Sequence, residues 1–214
     1  MLELWGRKNA YNVQKAVWAL AELQLDYVHH DVGSASGDLT SPQFLALNPH
    51  ARIPVLTDND AVVWESNTIV RYLAAAYGSA SLWTGDALER SCAERWMDWE
   101  LTKLQPDFIA LFWGYYRTPL EARDQQAISA AQQRCAQHFE LLDRHLQSQA
   151  FVAGETFSMG DIPVAVCLYR YFGMGLAVDQ PQHLMQWYQR LARRKAFADT
   201  IMLPFDELKG RLDY

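Results

Sequence analysis

The sequence predicts an α/β unit followed by an all-α unit, and three observations carry that prediction. Up to about residue 77, short β-like runs alternate with helical ones; beyond it the strand signal stops and every apolar pattern has the helical period. The two textures meet at Gly78-Ser79-Ala80-Ser81 and Gly85-Asp86, a run of small and turn-forming residues. At 214 residues, half of them hydrophobic, the chain exceeds one typical domain of ~150 residues and has ample apolar material for a packed core in each part. The expected division is 1–78 and 87–214.

The elements follow in order. Leu2–Trp5 reads as a strand, residues 13–23 as a helix and 27–31 as a second strand, a βαβ unit that pairs its strands in parallel. Ser41 fits an N-cap with Pro42 at the first helical position, opening a short helix that Asn48-Pro49 stops. Residues 55–57 and 61–64 flank Asp58-Asn59-Asp60, a three-residue turn that makes them a hairpin, and a helix over 67–76 completes the order βαβαββα. A mixed sheet of about four strands with helices on both faces is expected.

In the second part Leu88, Cys92, Trp96 and Trp99 recur at helical spacing, and Leu101, Leu104, Phe108, Leu111 and Tyr115 continue past Pro106, where a kink is expected. Pro119 ends this helix or begins the next. Ile128, Ala131, Cys135, Phe139, Leu142 and Leu146 mark another helix. Residues 163–172 are apolar almost all round, as in a helix surrounded by helices, and shorter helices are expected over 181–192 and 196–201.

Charge and composition narrow the function. The first 80 residues carry five Lys/Arg and eight Asp/Glu, the rest fourteen and seventeen, so neither part is basic and nucleic acid is not an expected partner. Arg193-Arg194-Lys195 follows a helical pattern, where cations complement the helix dipole. No run approaches the roughly 18 unbroken apolar residues of a membrane helix, and the start does not read as a leader, so a soluble chain without a membrane partner is expected. Cys92, Cys135 and Cys167 are scattered and form neither a CxxC nor a zinc spacing, which suits a reducing cytoplasm. His29 and His30 face opposite ways on a strand, and His138 and His145 share a helical face without a third ligand nearby in sequence, so no metal is expected.

The chemistry-bearing features lie between Ser41 and Arg71. Ile53-Pro54 precedes a strand; the proline has no N–H, is compatible with a cis peptide bond, and leaves the Ile53 backbone to pair with an extended ligand. Glu65-Ser66 ends the hairpin and opens a helix, whose N–H groups and positive dipole end make a carboxylate site. Alone, each also reads as an ordinary proline turn or N-cap. In this order, and followed by Phe157-Ser158-Met159-Gly160-Asp161, they closely resemble the soluble glutathione S-transferase family, in particular bacterial theta- or nu-like members, over essentially the whole chain.

That resemblance implies a thioredoxin-like, glutathione-binding domain at 1–78 and a helical domain at 87–214 carrying the acceptor-substrate site. It implies an enzyme that activates the glutathione thiol for attack on small hydrophobic electrophiles, a detoxifying cytoplasmic homodimer with glutathione as co-substrate. Glutathione-dependent reduction of peroxides or disulfides is a further implied activity. Glu65 and Ser66 fall on the γ-glutamyl end, the Ile53 main chain beside Pro54 on the cysteinyl backbone, and Arg52 or His50 near the glycyl carboxylate. Arg52 is the better cation because it stays charged at any working pH. Ser158 and Asp161 match a structural capping box, in which Ser158 accepts from the Asp161 N–H and the Asp161 carboxylate reaches back to the Ser158 N–H.

The thiol partner departs from the family pattern. A free thiol with pKa near ~8.5 is mostly protonated at neutral pH, so a donor must favour the thiolate. The loop after the first strand reads Gly6-Arg7-Lys8-Asn9-Ala10-Tyr11-Asn12: the serine of serine-type members is missing, no cysteine occurs before Cys92, and Trp5 stands near the position of the tyrosine of tyrosine-type members. Asn12, similar to the asparagine of some bacterial members, and Tyr11, through its phenol, remain as catalytic candidates. Acceptor-site candidates are Phe108, Phe112, Trp113 and Tyr116 on the long helix, and Tyr169 or Phe172 on the buried one. Asp98 matches a position where some members reach the partner's glutathione. The missing serine also motivates the alternative of a non-catalytic glutathione-transferase-like binding or regulatory module.

Overall fold

The structure, a computed structural model, describes residues 1–33, 38–78 and 82–212. The expected linker residues Ser79, Ala80 and Ser81 lie outside the described residues. Strand β1 (Leu2–Trp5) is followed by helix α1 (Tyr11–Glu22), β2 (Tyr27–His30), α2 (Pro42–Leu47), β3 (Val55–Asp58), β4 (Ala61–Trp64) and α3 (Ser66–Tyr77), which is the βαβαββα order the sequence predicts. The sheet runs β2-β1-β3-β4, with β1 parallel to β2 and antiparallel to β3. The β3–β4 hairpin is tighter than expected: Asp58 pairs with Ala61, leaving a two-residue turn in which Asn59 takes φ 52°, a conformation asparagine tolerates.

The second part consists of α4 (Ala87–Trp99), α5 (Gln105–Leu111), α6 (Gln125–Leu146), α7 (Asp161–Ala165), α8 (Leu168–Gly173), α9 (Gln182–Ala192) and α10 (Lys195–Thr200). The expected kink at Pro106 takes the form of a π-helical turn, Glu100–Leu104, in which the Gln105 N–H bonds Glu100 O five residues back. Pro106 has no N–H to donate, so the ladder widens just ahead of it. A second π turn, Phe112–Arg117, ends the helix. The single helix expected at 163–172 is two short ones, joined at Val166 and Cys167, and both joining residues are fully buried.

Helix α1 is the wall shared by the two parts. Trp18 is fully buried, packed on Phe157 and Phe197 of the helical part at 5.7 and 4.8 Å between ring centroids. Its indole N–H donates to Glu22 Oε1 at 2.8 Å, and Arg194 grips the same carboxylate with two bonds of 2.8 and 2.6 Å. Burying both faces of α1 fixes where its N-terminus points.

The Ser158/Asp161 cap is broader than a local box. Asp161 Oδ2 accepts from the Ser158 N–H as expected, at 2.8 Å, but the Ser158 hydroxyl accepts from the Gly160 N–H at 3.3 Å instead of from Asp161. Asp161 Oδ1 accepts from the Val152 N–H and the Trp187 indole, both at 3.0 Å, tying α7 to the preceding loop and to α9. Gly160 is required by close approach: a Cβ there would sit 2.9 Å from Ala93 O of α4.

Candidate active site

A cavity of about 520 Å³ opens where the N-termini of α1 and α3 meet the loop before β3. It is lined by Arg7, Tyr11, Asn12, Arg52, Ile53, Pro54, Glu65, Ser66 and Trp113 among others, which brings together most of the residues singled out in the sequence.

The helix N-termini explain why the cavity can take anions. Helices α2, α4 and α6 start at Ser41, Asp86 and Asp124, whose side chains accept from first-turn N–H groups. Helices α1 and α3 start at Ala10 and Glu65 without a side-chain cap, so their orphan donors are left to the cavity. Glu65 holds φ 69°, a region that costs a non-glycine residue on the order of 1–3 kcal/mol and persists only where the surroundings impose it. At the mouth of β1, Gly6 (φ +144°) lets three segments converge, since a Cβ there would sit 2.6 Å from Val13 and 3.2 Å from Ile53.

The loop before β3 is organised by Asn48, which the sequence offers only as a helix stop. Asn48 is buried, its Nδ2 donates to Arg52 O at 2.9 Å, and its Oδ1 accepts from the His50 N–H at 3.0 Å. This presents Ile53 and the cis Ile53-Pro54 bond to the cavity with Arg52 exposed beside them. His50 is not among the lining residues; its ring packs edge-on against Trp64 at 5.2 Å.

The two thiol-partner candidates separate. The Tyr11 hydroxyl donates to Glu100 Oε1 at 2.9 Å, and burial followed by the Glu100 charge raises its pKa well above the ordinary phenol value. Its donor is spent on a buried carboxylate. Asn12 is half-buried at the cavity, and the Ser66 hydroxyl donates to its Oδ1 at 3.3 Å, which leaves the amide NH₂ as the donor it can offer.

The aromatic candidates separate too. Trp113 lines the cavity, is 36% exposed, and carries the Arg117 guanidinium 3.8 Å from its ring centroid. Phe108, Phe112 and Tyr116 are core, stacked in a row at 5.7 and 5.2 Å with Phe205 against the last two, because the helix face they share is covered by its neighbours. None of the three lines the cavity. Tyr169 packs on Phe205 and Phe172 on Tyr188, also away from it. Asp98 is exposed and paired with Arg71.

Sequence reasoning missed the buried polar cluster beneath the cavity. Lys15 and Glu100, both fully buried, bond through Lys15 Nζ to Glu100 Oε1 and Oε2 at 2.9 and 2.8 Å. Desolvation lowers the Lys15 pKa, against the pull of Glu100. The available signal was Lys15 at four residues from Tyr11 on a helix otherwise apolar from Val13 to Leu20, with Gln14 as the only other polar side chain. Arg170, likewise buried, donates to Asn9 O in the loop that leads into α1. Among the described residues no group of three or more His, Cys, Asp or Glu could hold a metal, and no helix is long and apolar enough to cross a membrane.

Two family models match the chain: the glutathione S-transferase N-terminal domain over residues 1–75 and the glutathione S-transferase C-terminal domain over 125–190. The chain is 41% identical to glutathione S-transferase GstB of Escherichia coli strain K12, over 95% of this chain and 99% of that one. It is 29% identical to glutathione S-transferase 3 of Zea mays over 94% and 93%. Among solved structures, the theta class glutathione S-transferase of Xanthomonas axonopodis pv. citri with glutathione bound superposes with a TM-score of 0.91 at 39% identity, covering 95% of this chain and 98% of that one.

Proposed function

The chain belongs to the glutathione S-transferase family, and we propose that the cavity at the N-termini of α1 and α3 is where it binds glutathione and activates its thiol. It is a transferase, and family membership favours catalysis over a non-catalytic binding module. In the proposed pose the γ-glutamyl carboxylate meets the uncapped α3 N-terminus at Ser66, with Glu65 beside the amine. The cysteinyl backbone pairs with Ile53 ahead of the cis proline, and Arg52 faces the glycyl carboxylate.

The sulfur then lies at Asn12, whose amide N–H donates to the thiolate and stabilises it over the thiol. Asn12 cannot take the proton, which leaves to solvent as the thiolate forms. The thiolate attacks an electrophilic carbon and the carbon–sulfur bond forms; either a leaving group departs with its electron pair, or the acceptor's π bond breaks and its pair passes to the far atom, which takes a proton from solvent. Trp113 supplies an apolar face for the acceptor on the far side of the cavity. The protein acts in the cytoplasm as a homodimer, with no metal required.

The observation that carries this reading is the Ser66 hydroxyl on Asn12 Oδ1, which occupies the amide oxygen and leaves the NH₂ as the donor Asn12 can offer at the junction of two uncapped helices. In the experiment, glutathione binding and turnover of an aromatic halide are measured for wild type, Asn12→Ala and Tyr11→Phe. Loss of one charge-assisted donor lowers turnover of Asn12→Ala about 10- to 100-fold, and Tyr11→Phe is affected less. Equal turnover of wild type and Asn12→Ala would overturn the assignment.

A further inference from the structure

Beneath the cavity, one carboxylate from the helical part touches both helices that build the site. Glu100 is fully buried in the π turn ahead of Pro106. It accepts from the Tyr11 hydroxyl at 2.9 Å and from Lys15 Nζ at 2.9 and 2.8 Å on α1, and from Asn67 Nδ2 at 3.5 Å on α3. Tyr11 and Asn67 are the chain neighbours of Asn12 and Ser66, and these two are themselves joined by the Ser66 hydroxyl. Asn67 Nδ2 also donates to Met97 O at 2.9 Å, and Lys15 Nζ to Gln105 Oε1 at 2.8 Å, so the stretch of helix around Glu100 is tied to both site helices.

We infer that Glu100 is a positioning residue for glutathione activation: it holds the first turns of α1 and α3 at the separation where Asn12 and Ser66 act on one ligand. The inference rests on the assignment of Asn12 and Ser66 to the glutathione site. Two apolar helix faces can slide against each other at little cost, whereas hydrogen bonds to one buried carboxylate are directional and lose strength steeply with misalignment. An ion pair buried this completely is a poor source of stability, because desolvation of both charges offsets much of their attraction; a well-packed apolar pair often serves as well or better. Stability alone therefore does not account for a lysine and a glutamate here. The π turn matters to the arrangement, since it reseats the helix at Glu100 where a regular turn would carry the side chain on at the ordinary pitch.

The test uses the full chain and three variants: Glu100→Gln, the paired replacement Lys15→Met with Glu100→Leu, and Tyr11→Phe, which deletes a single bond to Glu100. Glutathione affinity is read by calorimetry, and the titration of the bound thiol by the ultraviolet absorption of its thiolate. The paired replacement is expected to keep the fold, weaken glutathione about tenfold and raise the apparent pKa of the bound thiol by about one, with the acceptor KM unchanged. Glu100→Gln should behave alike, and Tyr11→Phe should move both readings in the same direction by a smaller amount. A folded paired variant with wild-type affinity and thiol titration overturns the inference. Should the charged-site variants fail to fold, unchanged readings in Tyr11→Phe overturn it instead. Asn12→Ala and Ser66→Ala, measured alongside, separate this failure from that of the site itself: if neither weakens glutathione or shifts its thiol, the site assignment fails whatever Glu100 does.

Discussion

The two walls of the cavity are made by different means. On the glutathione side, backbone geometry forms the wall: two helix N-termini without side-chain caps, a positive-φ glutamate and a cis proline, of which Ile53-Pro54 and the Glu65-Ser66 helix start stand out as local motifs. On the helical side the wall is made by side chains, and four aromatic residues at helical spacing reach two different fates. Trp113 faces the cavity, while Phe108, Phe112 and Tyr116 are sealed into the core. A backbone site can be read from residues that fix φ, ψ or a missing N–H; a side-chain site depends on which neighbour covers which face, and periodicity is the same for core and ligand contact.

The largest effect that could break this contrast is at Phe108. It is completely buried, lines no part of the cavity, and packs on Tyr11 and Phe112 at 5.4 and 5.7 Å. Phe108→Ala is expected to cost about 3–5 kcal/mol in denaturant unfolding. If the variant instead kept wild-type stability and changed acceptor preference, the helical wall would extend deeper than Trp113.

Next in size is the pH dependence set by Asp161, which anchors the helical part. Burial pushes its carboxyl up to about 6 despite the donors around it. In the unfolded chain the same group releases its proton near ~3.9. Between these values the folded state binds the extra proton, so this group's contribution is fully present below ~3.9 and is lost as pH rises through about 6. The loss is about 3 kcal/mol at most. Unfolding free energies of wild type and Asp161→Asn at pH 5 and 7.5, about these bounds, check it: the wild type gains on the variant at the lower pH. A gap that widens in the variant's favour on acidification would reverse the sign.

The same contrast explains how far the sequence reached. The element order, the parallel β1–β2 pair and the Ser41 cap follow from alternation, crossover length and a local Ser-Pro signal, so they were legible. The hairpin turn was shorter than expected because Asp58 remains in the ladder, a decision of pairing and not of turn composition. Ser158 and Asp161 were legible as a cap, but not Asp161's bond to Trp187, 26 residues on, and nothing in the spacing links Lys15 to Glu100 across 85 residues. Sequence already favours Arg52 over His50 as the lasting cation; what the fold adds is that His50 turns onto Trp64 and is not among the cavity's lining residues.

A smaller effect sharpens the helical wall. Trp113 is held by the Arg117 guanidinium over its ring and presents its remaining surface to the cavity. Aromatic stacking is worth about 0.5–1.5 kcal/mol beyond area, so Trp113→Ala should raise the KM for an aromatic acceptor roughly 2- to 10-fold. Glutathione KM should stay where it is. A change in both would mean that Trp113 also shapes the glutathione wall.

The smallest expected effect tests the glycyl edge of the glutathione wall, where the proposed contact is an exposed side chain. Arg52 is exposed, and an exposed ion pair is worth about 0.2–1 kcal/mol, so Arg52→Ala should raise the glutathione KM at most about fivefold. Because the proposed partner is the glycyl carboxylate, glutathione esterified at that group should bind wild type more weakly by the same factor. Arg52→Ala should bind the ester and the free acid alike. The difference should also shrink as salt is added, since an exposed pair is screened within a Debye length. If Arg52→Ala still discriminated between acid and ester by the full wild-type factor, the glycyl end would be held by the backbone alone, and the glutathione wall would have no side-chain contribution on that edge.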